Sequence, residues 1–244
     1  QLLALAAATG LPAQGAIVAV GGYGRRQLVP YSDLDVLLLG PPDSAALRPA
    51  LEAFVTACWD TGLEIGSSVR TVDECLALAQ QDITAQTSML EMRHIGGRTE
   101  HFAQLLAQLP STFHPQEFFL AKHLELRQRH TKFENAPYAL EPNCKESPGG
   151  LRDLHTILWV AKAANLGHDW HELAQHGILT NLEAQQLERN ETTLFQIRAR
   201  LHGVAGRHED RLLFDLQTAV ALSLGLKNHT PQGQNYPVRA SEVL

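Results

Sequence analysis

Two short runs of this chain carry residue types that could handle phosphate. Ala16-Ile-Val-Ala-Val20 is apolar and closes on Gly21-Gly22; Ser32-Asp33-Leu-Asp35-Val-Leu-Leu-Leu39 opens on an Asp-x-Asp pair and continues apolar. Residues two apart on a strand face the same way, so Asp33 and Asp35 are expected to project together, with Cα atoms about 6.6 Å apart. Two convergent carboxylates make a hard oxygen site suited to Mg²⁺, which commonly shares its coordination with substrate phosphates. A pair of ions about 3.5–4 Å apart can stabilise both the attacking and the leaving oxygen of an in-line displacement. A Gly-Gly turn lets backbone amides approach a triphosphate, and a helix start behind it aims N–H groups there. Taken singly, Asp-x-Asp is a solvated strand start and Gly-Gly a tight turn. Their conjunction, between two apolar runs, points to phosphoryl chemistry.

These residues need strands and turns to hold them. Ala16–Val20 and Leu34–Leu39 read as strands, the second apolar on both faces after Asp35 and therefore covered on two sides. Leu63–Val69 is a third strand candidate, in which Glu64, Gly66, Ser68 and Arg70 share one face. Glu64 is thus a candidate third carboxylate, and Arg70 could meet phosphate from the same side. Ala45–Asp60 has helical spacing, and Thr71-Val-Asp-Glu74 is a capping box opening the next helix. From about residue 82 onward the sequence gives no convincing strand, and Ile83–His94, His101–Leu109 and Pro115–Glu134 read as helices. Leu151–Ala164 follows, and Thr180-Asn-Leu-Glu183 caps a long helix with Leu187, Leu194, Ile197, Leu201 and Val204 on one stripe. Leu212–Leu224 is a last apolar helix.

A second motif is Pro142-Asn-Cys-Lys145-Glu-Ser-Pro-Gly-Gly-Leu-Arg152-Asp153. Small residues lead into a helix on which Arg152, His155, Trp159 and Lys162 are expected opposite the apolar face. Lys145 and Arg152 would suit phosphate or a carboxylate partner. Alone, the motif reads as a loop and a helix cap.

Composition bounds the rest. The 244 residues carry 20 Lys and Arg against 26 Asp and Glu, for a formal net charge of −6. That balance argues against a protein whose main task is gripping nucleic-acid backbone. Cys58, Cys75 and Cys144 lie far apart and make neither a disulfide framework nor a zinc motif, which fits a cytoplasmic setting. The Leu2–Ala8 run is too short to span a bilayer and is a poor signal peptide. The start at Gln1 and the end at Leu244 read as trimmed from something longer.

The strand, glycine pair and Asp-x-Asp arrangement resembles the polymerase-β-like nucleotidyltransferase superfamily. More closely, Val-Ala-Val-Gly-Gly-Tyr-Gly-Arg, Tyr-Ser-Asp-Leu-Asp-Val-Leu-Leu-Leu, Gly-Leu-Glu-Ile-Gly-x-Ser-Val-Arg-Thr and Asn-x-Lys-Glu-x-Pro-Gly-Gly-Leu-Arg-Asp resemble the bacterial PII uridylyltransferase/uridylyl-removing enzymes. Arg198-Ala-Arg-Leu-His202 and Gly206-Arg207-x-Glu-Asp-Arg211-Leu-Leu-Phe-Asp215 extend the likeness. Arg26, Gln27, Val29, Ser67 and Ser147 depart from that pattern, and none of them is a carboxylate.

The resemblance implies an α+β fold: a small nucleotidyltransferase sheet with flanking helices over residues 1–95, then an all-helical domain over 96–244. It implies Mg²⁺-dependent transfer of UMP from UTP to a tyrosine of the signalling protein PII, with release of pyrophosphate. Asp33, Asp35 and Glu64 would be catalytic and hold the metal. Gly21, Gly22, Arg25, Ser32, Arg70, Lys145 and Arg152 would meet the nucleotide. Neither nucleic acid nor membrane is an expected partner. The family's metal-dependent hydrolase and glutamine-sensing domains are expected to lie outside this chain. His168-Asp169, its only His-Asp pair, reads as a surface loop. Two other readings stay open: an adenylyltransferase acting on a protein such as glutamine synthetase, and a non-catalytic nucleotide-binding module.

Overall fold

A computed structural model describes residues 2–11, 15–41 and 48–227. The described residues divide into two compact units, one of those up to 118 without 29–31, the other of 29–31 with those from 119 onward.

The first unit is mixed α+β. Its elements are α1 (Leu2–Ala8), β1 (Ala16–Ala19), α2 (Gly21–Gly24), β2 (Leu34–Leu39), α3 (Arg48–Asp60), β3 (Ile65–Arg70), α4 (Val72–Gln81), α5 (Ile83–Met89), β4 (Arg93–Gly97) and α6 (Thr99–Gln108). A 3-10 turn, Leu109–Thr112, leads into α7 (Pro115–Lys132), within which the unit boundary falls. The strands form one sheet in the order β3-β2-β1-β4. β1 runs antiparallel to β2 and β4, and β2 runs parallel to β3.

The two faces of β2 explain its unbroken apolar run. Leu37 and Leu39 pack with Ala16 and Val18 against Val72, Cys75 and Ala79 of α4, Met89 and Leu105. Val36 and Leu38 pack on the other side with Ile17 against Phe54 and Cys58 of α3 and Leu2 and Ala6 of α1. Alternate residues of one strand feed two cores, as expected of a sheet covered on both sides. The Thr71–Glu74 capping box is formed at the start of α4, with both reciprocal hydrogen bonds present.

Two expectations change. The Ile83–His94 helix ends at Met89, and Arg93–Gly97 is a strand. β1 would otherwise have an unpaired edge, and pairing Arg93 with Ala19 and His94 with Val18 satisfies its backbone. Residues 45–47 of the expected third helix lie outside the described residues, and that helix runs Arg48–Asp60.

The second unit is helical: the remainder of α7, α8 (Leu151–Ala163), α9 (Trp170–Gln175), α10 (Asn181–Ala205) and α11 (Phe214–Ser223). Leu154 and Ala161 of α8 pack with Trp170, Leu173 and Ala184. Leu201 and Val220 pack with Cys144 in a further cluster. α10 opens on the Thr180–Glu183 capping box and ends on Gly206 in the left-handed conformation, φ +65°. Among the described residues, no helix is long and apolar enough to cross a membrane.

Candidate nucleotidyl-transfer site

The parallel β2–β3 pair sets out the carboxylates. Leu34 stands opposite Ile65 and Asp35 opposite Gly66. Asp33 and Glu64 each sit one residue before these partners, and the Leu34 amide donates to the Glu64 carbonyl at 2.8 Å. All three acids therefore lie at the same end of adjacent strands. Asp33 and Glu64 are exposed, whereas Asp35 is half-buried.

Asp35 occupies a narrow slot. A Cβ on Gly66 would lie 2.8 Å from Asp35 Oδ1, and one on Gly21 would lie 3.1 Å from Oδ2. Two glycines, from β3 and from the turn after β1, thus leave the room that its carboxylate takes. Gly21 also has φ +55°, a conformation that L side chains rarely adopt. The Val20 amide donates to the Asp35 carbonyl at 3.0 Å, which ties the glycine turn to the start of β2. Asp33, Asp35 and Glu64 supply hard oxygen donors of the type that a divalent cation takes.

The glycine turn becomes the four-residue α2, fixed from behind. Gly24 approaches the chain so closely that a Cβ would lie 1.9 Å from the Glu91 carbonyl oxygen. Arg93 donates to the Gly24 carbonyl at 3.2 Å and to the Tyr23 carbonyl at 2.7 Å. Its guanidinium also lies 5.3 Å from the centre of the Tyr23 ring. Arg25 donates Nε to Gln27 at 3.0 Å and stands 3.7 Å from the buried Glu91 carboxylate. Arg93 and Glu91 carry no local sequence signal for supporting the turn, because the run Ile83–His94 has helical spacing. The Gly96-Gly97 pair closing that run is the signal for a strand end.

Ser32 precedes Asp33 and is half-buried, and Arg70 ends β3 opposite Leu39 at the far end of the ladder from Asp33. Arg70 is therefore spaced from the acids by the length of β3. Among the described residues, Asp33, Asp35 and Glu64 do not gather their oxygens into a cluster of three; the group that does so is His202, His208 and Asp210.

Lys145 and Arg152 belong to the second unit. The loop that carries them is built by its own side chains. Asn143 Oδ1 accepts from the Lys145 and Glu146 amides at 3.0 and 2.7 Å. A Cβ on Gly150 would lie within 3.0 Å of three carbonyl oxygens, those of Cys144, Lys145 and Ser147. Asp153 accepts from the Gly149 amide at 2.7 Å and from Arg129 at 2.6 Å. Burial pushes the Asp153 carboxyl up, but the Gly149 amide, His130 and Arg129 outweigh it and hold it below its usual range. Arg152 pairs with Glu146 at 3.1 Å and lies 5.4 Å from the Trp159 ring. Burial pushes the Lys145 amine down, and the charges of Arg152 and Arg198 add to this. His155 and Trp159, expected on the outward face of α8, are buried instead. Lys122 of α7 covers that face, its ammonium 5.4 Å from the Trp159 ring. His168 is exposed, and Asp169 caps α9 by accepting from the Glu172 amide.

A mixed sheet with a glycine turn against an Asp-x-Asp strand is the core of a nucleotidyltransferase. The comparisons with known proteins name the branch. The model of the GlnD PII-uridylyltransferase family matches residues 117–239. A bifunctional uridylyltransferase/uridylyl-removing enzyme of Cupriavidus pinatubonensis is 57% identical over 236 residues, 96% of this chain and 26% of that protein. Proteins of the same description from Cupriavidus metallidurans and Burkholderia orbicola are 54% and 56% identical, over 96% and 88% of this chain and 27% and 25% of their own lengths. The chain belongs to the PII-uridylyltransferase family and spans about a quarter of the length of these relatives.

Proposed function

We propose that this chain carries the uridylyl-transferring part of its family's activity, moving UMP from UTP to a tyrosine of PII and releasing pyrophosphate. The observation that carries the reading is Asp35, seated between Gly21 and Gly66 beside Asp33 and Glu64. A pure binding module would have no need of three acids at one sheet end next to a glycine turn.

Asp33, Asp35 and Glu64 would hold Mg²⁺, which supplies neutralisation of charge on the triphosphate when bound. Gly21 and Gly22 let the backbone approach the phosphates without side-chain obstruction. Arg25 and Ser32 are assigned to the nucleotide, and Lys145 and Arg152 to its phosphates; Arg70, at the far end of β3 from the acids, is left out. Lys145 suits this because burial strips its amine of water and Arg152 and Arg198 stand near it, so a further anion would stabilise its charge. In the reaction a bond forms between the tyrosine oxygen and the α-phosphorus of UTP. The bond from that phosphorus to the bridging oxygen breaks, and pyrophosphate leaves.

Incubation with Mg²⁺, α-labelled UTP and PII tests the reading. Label is expected on PII with UTP and not with ATP. Labelling with ATP instead would assign the chain to adenylyl transfer, and failure to label while a full-length relative is active would remove the activity from this chain.

A further inference from the structure

We propose that His202, His208 and Asp210 form a binding site for a zinc-class transition-metal ion. Each offers one ligand atom, and these atoms lie within 4.8 Å of one another. The backbone brings them together. His202 stands in the last turn of α10, Gly206 follows in the left-handed conformation, and His208 and Asp210 then contact the His202 ring. This segment is pinned because the Cys144 amide donates to the Asp210 carbonyl at 2.8 Å and the Leu212 amide to the Pro142 carbonyl at 2.9 Å.

The two ring nitrogens of His202 decide the chemistry. Nδ1 lies 2.6 Å from the Pro30 carbonyl, which can only accept, so Nδ1 carries a proton. Nε2 faces the Asp210 carboxylate at 2.9 Å, a second acceptor. The pair thus presents an imidazole nitrogen and a carboxylate oxygen to one cation. A fully buried imidazole whose outer N–H binds a backbone carbonyl is the usual posture of a metal-ligating histidine. His208 packs edge-on to the His202 ring, centroids 4.8 Å apart, with its Nε2 3.5 Å from Asp210 Oδ2. Tetrahedral zinc at its ordinary bond lengths separates donor atoms by about 3.3 Å, so small side-chain movements complete the set. The fourth position is left to water or a ligand.

Arg198 donates Nε to Asp210 Oδ1 at 2.6 Å and orients the carboxylate from outside. Arg198 and Lys145 also surround Asp210 with positive charge. A hard ion held by charge alone gains little in such a place. The bound ion must gain through bonds to imidazole nitrogen, which selects Zn²⁺ over Mg²⁺ or Ca²⁺.

Calorimetric titration of ZnCl₂ into the metal-free chain tests the site. The expected result is one ion bound per chain. MgCl₂ should give no heat of binding at this site. The exposed His208 can be removed without disturbing the core. His208→Ala should weaken zinc binding at least ~10-fold with the metal-free melting temperature unchanged. His171→Ala, which removes another exposed histidine, should leave binding unchanged. Absence of zinc binding, or equal losses in the two variants, would each overturn the proposal.

Discussion

Gly66 stands directly opposite Asp35 in the parallel β2–β3 ladder, and a methyl group there would lie 2.8 Å from the Asp35 carboxylate oxygen. The glycine on one strand thus keeps open the place of the acid on the next. Gly66→Ala is expected to displace the carboxylate while leaving the fold intact, because position 66 is exposed. Uridylyl transfer should fall about 10²-fold or more, in the range of losing one aligned electrostatic group at a transfer site. Activity and thermal unfolding measured side by side check this: a large loss of rate with little loss of stability is the expected pattern.

Arg93 holds the glycine turn by two carbonyl oxygens, those of Tyr23 and Gly24. Arg93→Met keeps much of the side chain's bulk and removes both donors. Leaving partly buried carbonyls without partners should cost about 1–3 kcal/mol in denaturant unfolding. Because the turn loosens rather than the acids, the KM for UTP is expected to rise more than kcat falls.

Asp153 ties together α7, the Gly149 turn and α8. Burial raises its carboxyl pKa, but the Gly149 amide, His130 and Arg129 bring it below the ordinary value of 3.8. A folded-state pKa below the unfolded one means that the ionised carboxylate stabilises the fold. That contribution is complete above the unfolded value and is lost as pH falls through the folded value. Asp153→Asn should therefore cost about 1–3 kcal/mol at neutral pH, from hydrogen bonds to a charged group. The gap between variant and wild type should narrow on acidification below about pH 4, as measured by urea unfolding across pH.

Much of this was legible from residue order. Leu34–Leu39 is a strand with the expected bounds, since its apolar residues fill two cores at alternate positions. Both capping boxes form, because a Thr and a Glu three residues apart need only local geometry. What was hidden depends on distant partners. β4 contains Arg93, His94 and two glycines and has no apolar alternation, so it is a strand only because the β1 edge receives it. His155 and Trp159 look like an outward face until Lys122, more than thirty residues earlier in sequence, covers the indole. Gly66 was placed on the acidic face by spacing, but its role in making room for Asp35 follows only from the ladder register. The convergence of His202, His208 and Asp210 depends on the αL turn at Gly206, which no local motif announces.

The most direct test of the account is transfer of label from α-labelled UTP to PII by this chain and by its Asp35→Asn variant, with Mg²⁺ and with a chelator. Asn keeps the size of the side chain in the slot between Gly21 and Gly66 and removes its charge. The account predicts Mg²⁺-dependent labelling of PII by the unmodified chain and a loss of about 10²-fold or more in the variant, with the melting temperature unchanged. Equal labelling by the two proteins, or labelling that survives the chelator, would contradict it.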